Sequence, residues 1–149
     1  MEGACPLITA HTKLLAVLGY PVRHSLSPLI HNAALRHDGL EYVYVALEVE
    51  PAALPAAVEG LRALRIRGAN ITVPHKQQAA SLVDRLDPLA ARLGAVNTVV
   101  NEEGVLVGHN TDVAGFRAAL RTLVREGAQG RRCVVAGAGG AARAVVAAL

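Results

Sequence analysis

The sequence predicts an α/β fold: a three-layer domain whose helices cover a mostly parallel sheet. Three observations predict it. Strand-like apolar runs alternate with helical segments along the 149 residues. The first run, KLLAVLGY (13–20), is almost continuously apolar, as a strand buried on both faces must be. Near the end, a glycine-rich turn stands between an apolar run and an alanine-rich helix, the order of a further β-α unit.

The elements follow in order. SPLIHNAALRHDG (27–39) is a helix, with Ser27 as its N-cap, Pro28 at the first helical position and Gly39 closing it. EYVYVALEV (41–49) is rich in β-formers. PAAVEGLRALR (55–65) is helical, with Pro55 in its first turn. RGANITV (67–73) is a strand, HKQQAASLVDRL (75–86) a helix and DPLAARLG (87–94) a second short one. AVNTVVNEEGVLVGHN (95–110) is a hairpin turning at Glu102-Glu103-Gly104. TDVAGFRAALRTLVREG (111–127) is an amphipathic helix with Val113, Phe116, Leu120, Leu123 and Val124 on one face. RRCVVAG (131–137) is a strand, and AARAVVAAL (141–149) begins a helix. A parallel strand and one helix cannot cover their own faces, so residues from about 128 onward read as the first unit of a second domain, cut off.

Composition narrows the function. Aromatic residues are only 3%, too few for base-stacking platforms, and the net charge of +3 comes from scattered arginines. No nucleic-acid role follows; the charge agrees with an anionic ligand. Cys5 and Cys133 have neither metal-ligand nor redox spacing and suit a reducing cytoplasm. The start, MEGACPLITAHTK, has no leader pattern, and no apolar run is long enough to span a bilayer, so no membrane role is expected.

Lys76 is the residue that asks for an explanation. The chain has two lysines, Lys13 and Lys76, against thirteen arginines. Arginine keeps its charge at any accessible pH, whereas lysine can give up its proton. Lys76 follows a strand end, Val73-Pro74, where open α/β sheets place their ligand crevice. It also begins a helix, where the dipole disfavours a cation, so proton chemistry is a reason for it to be there. Asp112, between the hairpin and the long helix, is its candidate partner. Asn97 and Thr72 are neutral hydrogen-bonders near strand ends, able to face a polyol. In GYPVRHSLSPLIHN (19–32), Ser25 and Ser27 set two hydroxyls beside free helix amides, a small site for a carboxylate. His24 and His31 read as structural.

Gly137-Ala138-Gly139-Gly140-Ala141-Ala142 fits the G-x-G-x-x-G/A pattern that lets backbone amides approach a pyrophosphate at a helix N-terminus. This makes Gly137, Ala138, Gly139, Gly140 and Ala141 the candidate cofactor residues, on the first β-α unit of a truncated Rossmann domain. The residue that chooses NAD or NADP lies about 20 residues further on, past Leu149. No metal site is expected.

Taken together and in this order, GYPVRHSLSPLIHN, NITVPHK, GAVNT, GHNTD and GAGGAAR resemble the shikimate dehydrogenase family, from about Leu14 to Leu149. The resemblance implies a shikimate-binding domain over residues 1–111, then a linking helix and the start of an NADP-binding Rossmann domain over 112–149. It implies that Ser25 and Ser27 hold the substrate carboxylate. Thr72, Asn97 and Asp112 would bind ring hydroxyls, and Lys76, which would bind substrate too, would be the acid–base group with Asp112 as partner. It implies reversible NADPH-dependent reduction of 3-dehydroshikimate to shikimate, in the cytoplasm, on the way to chorismate and the aromatic amino acids. A homodimer is compatible with it. A quinate/shikimate dehydrogenase, or a shikimate-binding module without turnover, stays open beside it. Val113 stands where the family often has glycine, and a C-terminal segment that would return to the substrate domain is absent.

Overall fold

The computed structural model of the chain describes residues 8–124 and 128–149. Cys5, most of the segment read for a leader, and residues 125–127 of the segment read as the long helix lie outside these. Six strands form one sheet: β1 Lys13–Gly19, β2 Tyr42–Glu48, β3 Gly68–Ile71, β4 Arg85–Leu86, β5 Thr98–Glu102 and β6 Val105–His109, in the order β2-β1-β3-β5-β6-β4. β1 is parallel to β2 and to β3, and β4 is parallel to β6. The expected hairpin is β5–β6, whose antiparallel strands also pair β5 with β3. It turns through Glu103 and Gly104, both at positive φ, as a two-residue primed turn requires.

The helices are α1 Ser27–His37, α2 Leu54–Ala63 after a 3-10 turn at Pro51–Ala53, α3 Lys76–Ala79, α4 Pro88–Leu93, α5 Asp112–Leu123 and α6 Gly140–Ala148. The continuous apolar run of β1 serves both faces of the sheet. Ala16 and Leu18 point into the main core with Leu54, Val58 and Leu61 of α2. Val17, between them, points to the other face with Tyr44 and Leu35 of α1. The three layers are therefore α2, the sheet and α1. A third apolar cluster, Leu93, Ala95, Val113 and Ala144, ties α4, α5 and α6 together. Val113, which stands where the family often has glycine, is buried in that joint.

Four expectations are corrected. The helix expected over 75–86 stops at Ala79. Leu82 and Val83 then pack on the main core, the Asp84 carboxylate accepts from Leu106 N at 2.7 Å, and Arg85 pairs with Val107. Ladder bonds and core packing there outweigh helix propensity, which is worth at most ~0.7 kcal/mol per ordinary residue. Ser27 is not the N-cap: Leu26 is, and Ser27 is the first helical residue. Instead Ser25 Oγ accepts from Ser27 N at 3.2 Å, so Ser25 has the local duty assigned to its neighbour. The strand expected over 131–137 has no ladder among the described residues, and Val134 is 96% exposed. A strand needs a neighbour to satisfy its backbone, and apolar sequence alone does not supply one. Finally, of the apolar stripe on the long helix only Val113 is buried, and Leu123 is 81% exposed.

Candidate active site

Topology collects the site. β1 and β3 are parallel neighbours, so the loops leaving them lie at one edge of the sheet. β5 runs antiparallel to β3, which brings the residue that enters it, Asn97, to the same edge. β6 reverses again, so its exit, Asn110 to Asp112, arrives there too. This edge is the carboxyl end of the parallel strands, where α/β sheets bind ligands.

Lys76 Nζ donates to Asp112 Oδ2 at 2.5 Å, and Asn97 Nδ2 donates to the other carboxylate oxygen at 2.8 Å. The side chains of Lys76 and Asp112 are 14% and 28% exposed, so water screens this pair less than a surface one. Both ends are anchored. Lys76 O accepts from Val96 N at 2.8 Å, which fixes the first turn of α3 against the strand entering β5. Asp112 N donates to Asn110 Oδ1 at 3.1 Å, while buried Asn110 donates to Ala95 O at 3.0 Å. Asn97 is fixed from three sides. Its Oδ1 accepts from Thr111 N at 2.9 Å and from the Thr98 hydroxyl at 3.1 Å, and its Nδ2 also reaches Thr111 Oγ1 at 2.9 Å.

Ser25, Ser27 and Thr72 come together around a second feature, a pocket of about 280 Å³ that His24 and Tyr20 also line. That is just below the ~300–1,000 Å³ of pockets for drug-sized ligands, room for a small molecule. Gly19 makes the close packing of its wall possible: a Cβ there would lie 2.4 Å from the Thr72 methyl. So the structure brings Lys76, Asn97 and Asp112 into one hydrogen-bonded group, and Ser25, Ser27 and Thr72 around one cavity. Two residues, Pro74 and His75, separate the cavity wall at Val73 from Lys76. His24, read as structural, lines the cavity, and His31 stacks on Tyr44 with ring centroids 4.3 Å apart.

Sequence reasoning missed several supports. His75 is fully buried and its Nε2 donates to Val49 O at 2.7 Å, locking the start of α3 to the end of β2. Asp87 caps α4 by accepting from Ala90 N at 2.7 Å, and also meets His109 Nδ1 at 3.0 Å and Asn110 N at 3.3 Å. Burial pushes the Asp87 carboxyl up, but the backbone N–H groups of Ala90, Leu89 and Asn110, with His109, hold it below the usual carboxylate range. The D-P opening of α4 was the available signal for that cap.

The glycine-rich segment packs directly on this group. A Cβ at Gly140 would lie 2.9 Å from Lys76 Cβ and 3.3 Å from its Cδ, so only glycine lets α6 approach the lysine stem. One turn on, Arg143 Nη1 donates to Leu93 O at 2.9 Å, at the end of α4. With the Gln77 amide oxygen turned to face it, the same guanidinium donates to Gln77 from Nε at 3.2 Å. Gly137 has φ of 125°, a conformation that glycine alone adopts without strain. Gly139 stands extended ahead of α6 with no side-chain cap, and the first-turn amides of a helix have no partner within it. A dinucleotide pyrophosphate fits such a turn.

The sequence profile of the shikimate dehydrogenase substrate binding domain matches residues 17–99, more than half the chain. The chain belongs to that family. The match to the shikimate dehydrogenase family extends past the profile. The NADP(+)-dependent shikimate dehydrogenase of Moorella thermoacetica is 55% identical over 144 residues, 95% of this chain and 48% of that protein. A crystal structure of a shikimate dehydrogenase in complex with NADP+ superposes with a TM-score of 0.85 at 44% identity, covering 95% of this chain and 49% of that one. The Listeria monocytogenes shikimate 5-dehydrogenase, in complex with shikimate and NAD, gives a TM-score of 0.80 at 44% identity over 95% and 49%. The chain thus spans about half the length of the shikimate dehydrogenases it matches. Among the described residues no helix is long and apolar enough to cross a membrane.

Proposed function

We propose that this chain forms the substrate half of an NADP-dependent shikimate dehydrogenase, interconverting shikimate and 3-dehydroshikimate. Residues 1–111 form the acid-binding domain, and 112–149 the linking helix and the start of the nucleotide-binding domain. One observation carries the reading: Lys76, held by Asp112 and backed by Asn97, lies three residues along the chain from Val73, in the wall of a cavity that Ser25, Ser27 and Thr72 also line. The two serine hydroxyls and the opening of α1 hold the substrate carboxylate. Thr72, Asn97 and Asp112 bind the ring hydroxyls. In the oxidation direction Lys76, as the free amine, takes the proton of the reacting hydroxyl; in reduction its ammonium returns it to the oxygen. Asp112 orients the amine throughout. NADP(H), when bound, supplies or accepts the hydride; Gly137 to Ala141 would hold its pyrophosphate. A cytoplasmic homodimer is the assembly proposed with this reading, and the molar mass in solution tests the dimer.

The test is Lys76→Ala in the full-length protein. Turnover should fall by a factor of about 10² to 10⁴, the usual worth of a general acid–base group, with shikimate affinity within about threefold. Near-normal turnover removes Lys76 from the chemistry. Running the same assay with quinate separates the two acids, which differ in hydroxyls that these residues do not distinguish.

A further inference from the structure

A line of hydrogen bonds crosses the sheet on the face that carries α1, and all its links point one way. Tyr44 of β2 donates its hydroxyl to Asn70 Oδ1 of β3 at 2.6 Å. Tyr44 is opposite Leu15 and Asn70 is opposite Val17, so the phenol reaches diagonally over β1. Asn70 Nδ2 donates to Thr98 Oγ1, its cross-strand partner on β5, at 3.3 Å. The Thr98 hydroxyl donates to Asn97 Oδ1 at 3.1 Å, and Asn97 Nδ2 donates to Asp112 Oδ1 at 2.8 Å. The other Asp112 oxygen receives Lys76.

The direction matters because an amide can turn over and exchange donor for acceptor. If Asn70 turned, its oxygen would draw the Thr98 proton away from Asn97. Asn97 would lose one of the donors that keep its NH₂ aimed at Asp112. What disfavours the turn is the tyrosine proton: a turned Asn70 could offer Nδ2 to the phenol oxygen, but would forfeit the 2.6 Å bond its Oδ1 accepts. We propose that Tyr44 is a positioning residue for the Lys76–Asp112 pair: its hydroxyl sets the polarity of a hydrogen-bond chain that presents Asn97 to Asp112. The inference rests on the functional reading above for its kinetic consequence, though not for the chain itself.

The tyrosine is suited to the task. It is 3% exposed, and His31 stacks on its ring at an interplanar angle of 10°. Its backbone is gripped by Asn32 of α1, which accepts from Tyr44 N at 2.9 Å and donates to Tyr44 O at 2.8 Å. Burial pushes its phenol up to about 12, with the Ser27 hydroxyl pulling the other way. It therefore keeps its proton at neutral pH and stays a donor. Links of one polarity also strengthen one another in a low-dielectric setting.

Tyr44→Phe removes only the hydroxyl and keeps the ring and its stack. In the full-length protein it should lower kcat about tenfold, a larger change than the rise in KM for shikimate. Thr98→Val breaks the chain nearer the pair and should do the same. The double variant should lose no more than either single one, because both cut one path. Losses that multiply to about a hundredfold, or a Tyr44→Phe kcat within twofold of the parent, overturn the proposal. The side-chain amide resonances of Asn97 give a readout independent of turnover. They should move in Tyr44→Phe, three hydrogen bonds from the hydroxyl removed; unmoved resonances overturn the chain. A parent protein that fails to oxidise shikimate rejects the functional reading alone, since the amide resonances still decide the chain.

Discussion

Two β-α units of this chain carry similar local signals and end differently. KLLAVLGY with its following helix, and RRCVVAG with its following helix, both read as an apolar strand, a turn and a helix. The first forms β1, paired on both sides, with Ala16, Val17 and Leu18 at 0–2% exposure. The second has no ladder among the described residues, Val134 is 96% exposed, and only its helix docks, through Gly140, Arg143 and Ala144. The difference teaches that a strand is a property of a sheet. An apolar run supplies the side chains, but its backbone N–H and C=O groups are satisfied only by neighbours. A helix satisfies itself, so α6 forms where the run before it does not become a strand.

The comparison can be broken where it is deepest. Leu61→Ala empties a site in the main core and should cost about 2–5 kcal/mol in chemical denaturation. Val134→Ala should stay within about 0.5 kcal/mol, as a substitution at an exposed position does. Equal losses would mean that the second unit is packed as tightly as the first.

The joint between the regions gives a sharper test. Gly140→Ala sets a Cβ 2.9 Å from that of Lys76, and the backbone of α6 or α3 must give way. Turnover of the full-length protein should fall about tenfold, since a misplacement of an ångström at a reacting group costs as much or more. The core should melt unchanged. Unaltered turnover would show that α6 moves aside freely.

The smallest effect concerns acid. The Asp87 carboxyl is held below its ordinary value by backbone N–H groups and His109, so its folded pKa lies under its unfolded one. Its stabilisation is present above the unfolded value, ~3.9, and is lost as pH falls through the folded value. Asp87→Asn keeps a capping oxygen and removes the charge. It should cost about 1 kcal/mol at pH 7 and flatten the acid limb of the stability profile. A pH profile identical to the parent's would remove the carboxylate from that role.

Much of the candidate site was legible because its signals are local. Lysine in an arginine-rich chain marked Lys76, and its place after Val73-Pro74 marked the sheet edge. Asp112 was legible as the acid opening a helix, and the structure puts its carboxylate on that lysine. The capping assignment failed at Ser27 because a serine before a proline at a helix start fits either side of the boundary. The helix over 75–86 failed because Leu82, Val83 and Arg85 answer to α2 and β6, both remote in sequence. Tyr44, Asn70 and Thr98 left no signal, since each reads as an ordinary strand residue until three strands are set side by side.

By itself, the sequence determined the alternation of elements, the apolar strand buried within the sheet, the hairpin, the glycine turn and the residue types of the candidate site. These follow from side-chain period, turn chemistry and capping, which act over a few residues. The tertiary structure alone decided which runs become strands, where α3 ends, and that Lys76, Asn97 and Asp112 share hydrogen bonds across 36 positions of chain. Strand pairing and hydrogen-bond polarity are set by partners distant in sequence, and only the folded sheet brings those partners into contact.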